Sequence, residues 1–307
     1  MDLSLSGCGN LGQAFERVVE LRPGHTALAY PTGERISYAE LSERVDRIAA
    51  GLLERGVKAR QVVALFNHKS VDGIAAILAC NKLGVLYANI DPASPPERCV
   101  RILDRCMPTL ILVDELALDN ARSITGAHAN KLVRLQEVAS QAGDTAGASD
   151  ITGSDGAYIM FTSGSTGFPK GAVITHQNVL NFIAWGRHSI GITPDDVMTN
   201  VNPIYFDNSV YDLYVALYNG ATLCPFTTEQ VKDDVRKEVL QDCYEMAVAN
   251  GYLSNGGAAY AEEMLAKALG SEKASEIMGR LMTSVRPRHF EKMRREFGLK
   301  PQRTGDD

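Results

Sequence analysis

Short apolar runs of strand length recur along the first three quarters of the chain, at Val62–Phe66, Thr109–Val113, Tyr158–Phe161, Val197–Val201 and Thr222–Pro225. Between them lie stretches with helical spacing of apolar positions: Tyr38–Arg55, Ser70–Leu83, Ser94–Arg105 and Gln177–Arg187. Strands alternating with amphipathic helices predict an α/β domain with a largely parallel sheet up to Phe226. Beyond Phe226 the pattern is helical only. Thr228–Asn250 carries Val235, Val239, Cys243 and Met246 on one face, and Asn255-Gly256-Gly257 breaks it. Tyr260, Met264, Leu265 and Ala268 stripe the next helix. Gly270 and Ser271 supply a C-cap and a new N-cap, and Ala274, Ile277, Met278 and Leu281 stripe a further one. Residues Ser140–Ser154 are rich in Gly, Ala, Ser and Asp and read as a flexible surface connection.

Charge sharpens the boundary. Residues 1–226 carry 41 charged side chains and residues 227–307 carry 27, nearly twice the density. A net charge of −6 gives no electrostatic reason to propose nucleic acid as a partner. The basic cluster Arg286, Arg288, Lys292, Arg294 and Arg295 reads as a solvated face. No apolar run nears the ~20 residues of a membrane span, and no basic region precedes a hydrophobic run at the N-terminus. A cytoplasmic location is expected. Cys8, Cys80, Cys99, Cys106, Cys224 and Cys243 are scattered without a C-x-x-C pair and read as free thiols. The six histidines form no metal pair, and no metal site is assigned.

The chemistry concentrates in Ala157-Tyr-Ile-Met-Phe-Thr-Ser-Gly-Ser-Thr-Gly-Phe-Pro-Lys-Gly171. An apolar strand runs into a loop closed by one lysine. Gly164 and Gly167 lack Cβ, so backbone N–H groups can approach an anion. Thr162, Ser163, Ser165 and Thr166 add hydroxyl donors, and Lys170 adds a point charge. One unit-charge pair at ~4 Å and an effective dielectric near 20 is worth ~4 kcal/mol, enough for such a loop to hold a polyphosphate. Its glycine spacing is not that of a Walker A loop. Gly7-Cys-Gly-Asn-Leu-Gly12 matches G-x-G-x-x-G, but no buried strand precedes it, so a frayed terminal turn is expected.

The Ala157–Gly171 segment resembles the phosphate-binding signature of the adenylate-forming enzymes, which include amino-acid adenylation domains, acyl-CoA synthetases and luciferases. Three further motifs carry the resemblance across residues 10–226. Ile36-Ser-Tyr-Ala-Glu-Leu41 is similar to the family's TYxEL, and Lys82–Arg98 to its AGAAYVPLDPxxPxER stretch. Asn202–Asp212 is similar to FDxSV, and Leu217–Leu223 follows in family style. The resemblance implies the large subdomain of the luciferase/acyl-CoA synthetase-like fold, in incomplete form. It also implies a reaction in which a carboxylate and ATP with Mg2+ give an acyl-adenylate and pyrophosphate. Thr162, Ser163, Gly164, Ser165, Thr166, Gly167 and Lys170 would hold the β- and γ-phosphates. Asp207 matches the residue that pairs with a substrate α-ammonium, which points to an amino acid, and Asn208 and Tyr211 match side-chain pocket positions. A carrier protein is the implied acceptor, and no residue is assigned as catalytic.

The family's adenine-stacking loop, hinge and lysine-bearing subdomain find no counterpart here. Arg303-Thr-Gly-Asp306 echoes the ribose segment and reads as coincidence. Impaired activity is expected, as is an unpaired sheet edge that favours self-association. Glu238–Arg295 instead resembles part of the N-terminal domain of the flagellar motor switch protein FliG. Ala247–Ala261, Met264–Gly270 and Leu281–Pro287 carry the match, which implies flagellar ring or switch proteins as alternative partners. The expected organisation is an adenylation segment at 1–226, a FliG-like helical segment at 227–297 and a tail at 298–307.

Overall fold

The computed structural model describes Leu5 and residues 7–91, 93–139, 150–163 and 168–227, together with Gln230. The chain divides between Thr227 and Thr228 into two units, and every described residue except Gln230 belongs to the first. The helices expected beyond Phe226 lie outside the described residues.

The chain opens with α1 (Leu11–Leu21), then β1 (Thr26–Ala29), β2 (Arg35–Ser37) and α2 (Tyr38–Glu54). Next come β3 (Val62–Phe66), α3 (Val71–Leu83), β4 (Leu86–Asn89), α4 (Pro96–Cys106) and β5 (Leu110–Val113). Two short helices, α5 (Leu118–Ile124) and α6 (Leu135–Ala139), flank β6 (Leu132–Arg134). A hairpin of β7 (Gly156–Ser163) and β8 (Pro169–Thr175) leads into α7 (His176–Ile190). β9 (Val197–Asn200), α8 (Asp207–Tyr218) and β10 (Thr222–Pro225) complete the unit.

Six strands form one sheet in the order β6-β5-β3-β4-β7-β8, parallel throughout except for β8. Each parallel step needs a crossover, and the crossovers cover both faces. Ile102, Leu103 and Cys106 of α4 and Leu118 and Ala121 of α5 pack with Phe66, Ala88 and Val113 on one side. α1, α2, α3 and α6 bury the opposite face, where Leu65, Leu112 and Tyr87 lie. A second sheet, β2-β1-β10-β9, pairs strands far apart in sequence, and Tyr38 locks it to α8 by donating to the carbonyls of Leu217 and Ala221.

Local chemistry explains the helix starts. Ser37 and Glu40 form a reciprocal capping box on α2. Thr175 and Asn178 do the same on α7. Asn10 caps α1, whose Leu11, Ala14, Phe15 and Val18 are buried at helical spacing. This corrects the expectation of a frayed turn at Gly7–Gly12: Leu11 and Gly12 open a packed helix. A Cβ on Gly12 would stand 3.0 Å from the Lys82 backbone, so that glycine serves helix packing. The connection at 140–154 also differs at its end. Ile151 is buried over the left-handed Gly84, and Arg60 holds both Asp150 and Asp155 at 2.8 Å. Residues 140–149 lie outside the described residues. Cys80, Cys99 and Cys106 are buried free thiols, and burial pushes Cys80 and Cys106 up to about 12. Cys243 lies outside the described residues.

The turn from β3 into α3 is tight. A Cβ on Gly73 would overlap the His68 carbonyl oxygen and crowd Asn67 Nδ2 at 2.9 Å. Gly73→Ala is expected to destabilise the unit by about 2 kcal/mol, seen as a lowered urea midpoint at unchanged slope.

Candidate functional site

Because β3, β4, β5 and β7 are parallel, their carboxyl ends share one edge of the sheet, the usual location of ligand crevices in such folds. Asn67, His68 and Lys69 follow β3, Asp91 follows β4, and Asp114 follows β5. β7 ends and β8 begins at the same edge.

The strand ends there pair antiparallel, Phe161 with Gly171, Thr162 with Lys170 and Ser163 with Pro169. Thr162 and Lys170 are exposed, and Lys170 makes no ion pair with any described residue. Pro169 is buried, whereas Phe168 is 64% exposed with the Arg101 guanidinium 5.3 Å from its ring centre. Gly164, Ser165, Thr166, Gly167 and the Ser163 side chain lie outside the described residues.

Asp207 and Asn208 open α8 and are exposed. Asp207 Oδ1 accepts the Asn208 N–H at 2.9 Å. Burial, and then the charge of Asp207, raise the Tyr158 phenol to about 12, so Asp207 stands within electrostatic reach of β7. Tyr211, one turn on, is half-buried. Its ring meets Phe182 edge-on at 5.5 Å and Trp185 at 6.4 Å, and its hydroxyl is buried without a partner. The structure therefore gathers Asp207, Asn208 and Tyr211 at one end of α8, and the Asn89–Ile204 hydrogen bond ties the chain just before that end to β4, the neighbour of β7.

Other polar groups at this edge were not singled out from sequence. His68 donates its backbone N–H to Asp114 at 2.5 Å, and its Nδ1 lies 2.9 Å from the same oxygen. Burial pulls the Asp114 carboxyl upward, but the His68 and Ala117 hydrogen bonds outweigh it and hold it below its ordinary value. Lys69, Asn200 and Asp212 are linked in a chain of hydrogen bonds that reaches α8, and Asn89 separately donates to the Ile204 carbonyl. A run such as His68-Lys69-Ser70 carries no local signal of these contacts. Among the described residues no three acidic, cysteine or histidine side chains converge as a metal cage. A cavity of about 570 Å3 lies beside α7, between Leu5, Cys8, Leu180 and Arg187, and is lined by none of the predicted site residues.

Residues 15–250 match the AMP-binding enzyme family. The chain belongs to that family. The matched segment runs past Phe226 and overlaps a second match, of residues 226–290, to the FliG N-terminal domain. Tyrocidine synthase 2 of Brevibacillus parabrevis is 36% identical over 222 residues, covering 72% of this chain and 6% of the synthase. The L-proline–[L-prolyl-carrier protein] ligase of Pseudomonas fluorescens is 34% identical over 228 residues, covering 69% of this chain and 45% of the ligase. The chain thus spans less than half the length of either relative. The α/β fold is that of ATP-bound MatB from Rhodopseudomonas palustris, with a TM-score of 0.65 at 24% identity over 76% of this chain and 47% of MatB. Among the described residues no helix of this AMP-binding family member is long and apolar enough to cross a membrane.

Proposed function

We propose that residues 1–226 bind ATP with Mg2+ and an amino acid, and join them as an acyl-adenylate with release of pyrophosphate. Residues 227–297 are then a separate FliG-like segment and 298–307 a tail. What supports the reading is the carboxyl edge of the sheet, where β7 ends at Thr162 and Ser163 and where Asn89, at the end of the neighbouring β4, holds the Ile204 carbonyl three residues before Asp207. An anionic group suited to an ammonium and a hydroxyl-rich cationic segment suited to phosphates are thereby tied to neighbouring strands of one sheet.

The chemistry follows from positioning. Asp207 accepts from the α-ammonium, which leaves the α-carboxylate as nucleophile, and Asn208 and Tyr211 line the side-chain pocket. A carboxylate oxygen forms a bond to the α-phosphorus as the bond to pyrophosphate breaks. Thr162, Ser163, Gly164, Ser165, Thr166, Gly167 and Lys170 grip the β- and γ-phosphates. Mg2+ would enter with the triphosphate and neutralise part of its charge.

Amino-acid-dependent ATP–pyrophosphate exchange, run on the 307-residue polypeptide, tests this. Weak nucleotide binding and little or no exchange are expected, well below the rate of a synthetase that carries the adenine loop and catalytic lysine. Exchange at that synthetase's rate removes the impairment; neither exchange nor an ATP-dependent rise in melting temperature removes the reading. Lys170→Ala is expected to weaken ATP binding about 10-fold in the thermal-shift titration. A second reading, prompted by the FliG N-terminal domain match at 226–290, is an interaction module that docks on flagellar ring or switch subunits through the tail, with the α/β part vestigial and without catalysis. Failure of a ring-protein segment to retain the polypeptide, where it retains the intact switch protein, removes that one.

A further inference from the structure

Between β9 and α8 the chain runs through Val201-Asn202-Pro203-Ile204-Tyr205-Phe206, and Asp207 opens the helix immediately after. Two side chains from the six-stranded sheet hold this connection. Lys69, just beyond β3, donates from Nζ to the carbonyls of Asn200 at 2.6 Å and Asn202 at 2.9 Å. Asn89, the last residue of β4, donates from Nδ2 to the Ile204 carbonyl at 3.0 Å. Asn200 then spends both Nδ2 hydrogens on α8, one on Ser209 Oγ at 2.9 Å and one on Asp212 Oδ2 at 3.0 Å. The connection is thus tied at its start and middle to the sheet and across its width to the helix it feeds.

Two features set these ties apart from ordinary packing. Withdrawing a lysine ammonium from water is costly. Burial pulls Lys69 down to about 8 against the opposing charge of Asp212, and burial pushes Asp212 up to about 7 against Asn200 and Lys69. Apolar side chains would fill the same space at less cost, whereas two fixed carbonyl acceptors define a direction as well as a contact. The second feature is the reach of Asn89, a strand-end side chain whose Nδ2 crosses from β4 to a carbonyl 115 residues further along the chain.

We propose that Lys69 and Asn89 are positioning residues for Asp207, clasping the β9–α8 connection so that the carboxylate is held ready for a substrate ammonium. This rests on the substrate role of Asp207 given above. Loss of either side chain lets the start of α8 shift while the helix, anchored by Tyr214 and Tyr218 in the core, stays formed. The consequence is weaker recognition of the ammonium with little change in binding of the rest of the ligand.

The experiment uses the 307-residue polypeptide and the fluorescence of Trp185, its single tryptophan, which lies 6.4 Å from Tyr211. Wild type, Lys69→Met, Lys69→Arg, Asn89→Ala and Asp207→Asn are titrated with each of the twenty proteinogenic L-amino acids. The strongest binder is then compared with the same acid lacking its α-amino group. Wild type is expected to prefer the amino acid. Lys69→Met and Asn89→Ala are expected to shrink that preference about 10-fold, mainly through the amino acid's affinity, and Lys69→Arg to restore it. Equal weakening of both ligands, or an undiminished preference in Lys69→Met and Asn89→Ala, overturns the clasp even if Asp207→Asn loses the preference. If Asp207→Asn keeps the preference, or wild type binds no amino acid, the role of Asp207 falls and the clasp with it. Asn89→Ala removes one neutral hydrogen bond and carries the comparison should Lys69→Met fail to fold.

Discussion

Between pH 7 and pH 5 the protein is expected to lose about 2 kcal/mol more stability than its His176→Asn variant. His176, the first residue of α7, is fully buried. Its Nδ1 accepts the Leu11 N–H at 3.2 Å, which puts the ring proton on Nε2, where it has no partner. Burial, opposed by the charge of Asp155, lowers its pKa from 6.5 to about 4. A histidine depressed in the fold takes its proton more readily when unfolded. Stability is therefore intact above the unfolded value and is lost as pH falls from about 6.5 towards 4. Asp212 moves the other way, because its raised value lets the fold take up a proton near neutrality. The comparison with His176→Asn cancels that contribution, since the asparagine oxygen can accept from Leu11 without titrating. Urea unfolding at several pH values, followed by Trp185 fluorescence, measures the difference. Parallel pH profiles for the two proteins would mean that His176 is not the group responsible.

The fold was legible where the apolar pattern is local. Val62–Phe66 and Thr222–Pro225 form strands with the predicted bounds, and the helix expected at Tyr38–Arg55 ends one residue earlier. The parallel sheet and its helical cover follow from that alternation, and the family resemblance named the architecture that the structure displays. Elements whose stability comes from distant partners were missed. β8 includes Pro169 and Gly171, alternates poorly, and is a strand because β7 pairs with it along its length. α8 is rich in β-branched and aromatic residues that favour strands locally, yet Tyr214 and Tyr218 bury it against Asn81 and Tyr87. α1 was hidden because its cap, Asn10, sits inside a glycine pattern suggestive of a loop.

For the candidate site, residue types were readable but their company was not. Asp207 and Lys170 stand out as charges inside motifs. Lys69 and Asn89 do not, because their acceptors lie 131 and 115 residues further along the chain. Only the topology, which sets the carboxyl ends of β3 and β4 beside the β9–α8 connection, brings them together.

That topology bears on the size of the effect at Asp207. In the free protein its carboxylate is exposed, and removing its charge is expected to leave stability within about 0.5 kcal/mol. A bound amino acid changes the balance, because the ligand displaces water from the carboxylate and meets it with an ammonium. A hydrogen-bonded charge pair of this kind is worth about 1.5–3 kcal/mol, so Asp207→Asn is expected to weaken amino-acid binding by up to about 100-fold. Asparagine keeps the shape and removes the charge, which leaves affinity for the acid lacking an α-amine unchanged. Titration calorimetry with the two ligands separates the outcomes. A loss confined to the ammonium-bearing ligand identifies charge pairing, and equal losses identify damage to the pocket. No loss for either returns Asp207 to the status of a solvated residue at a helix start, where its charge serves only the positive end of the α8 dipole.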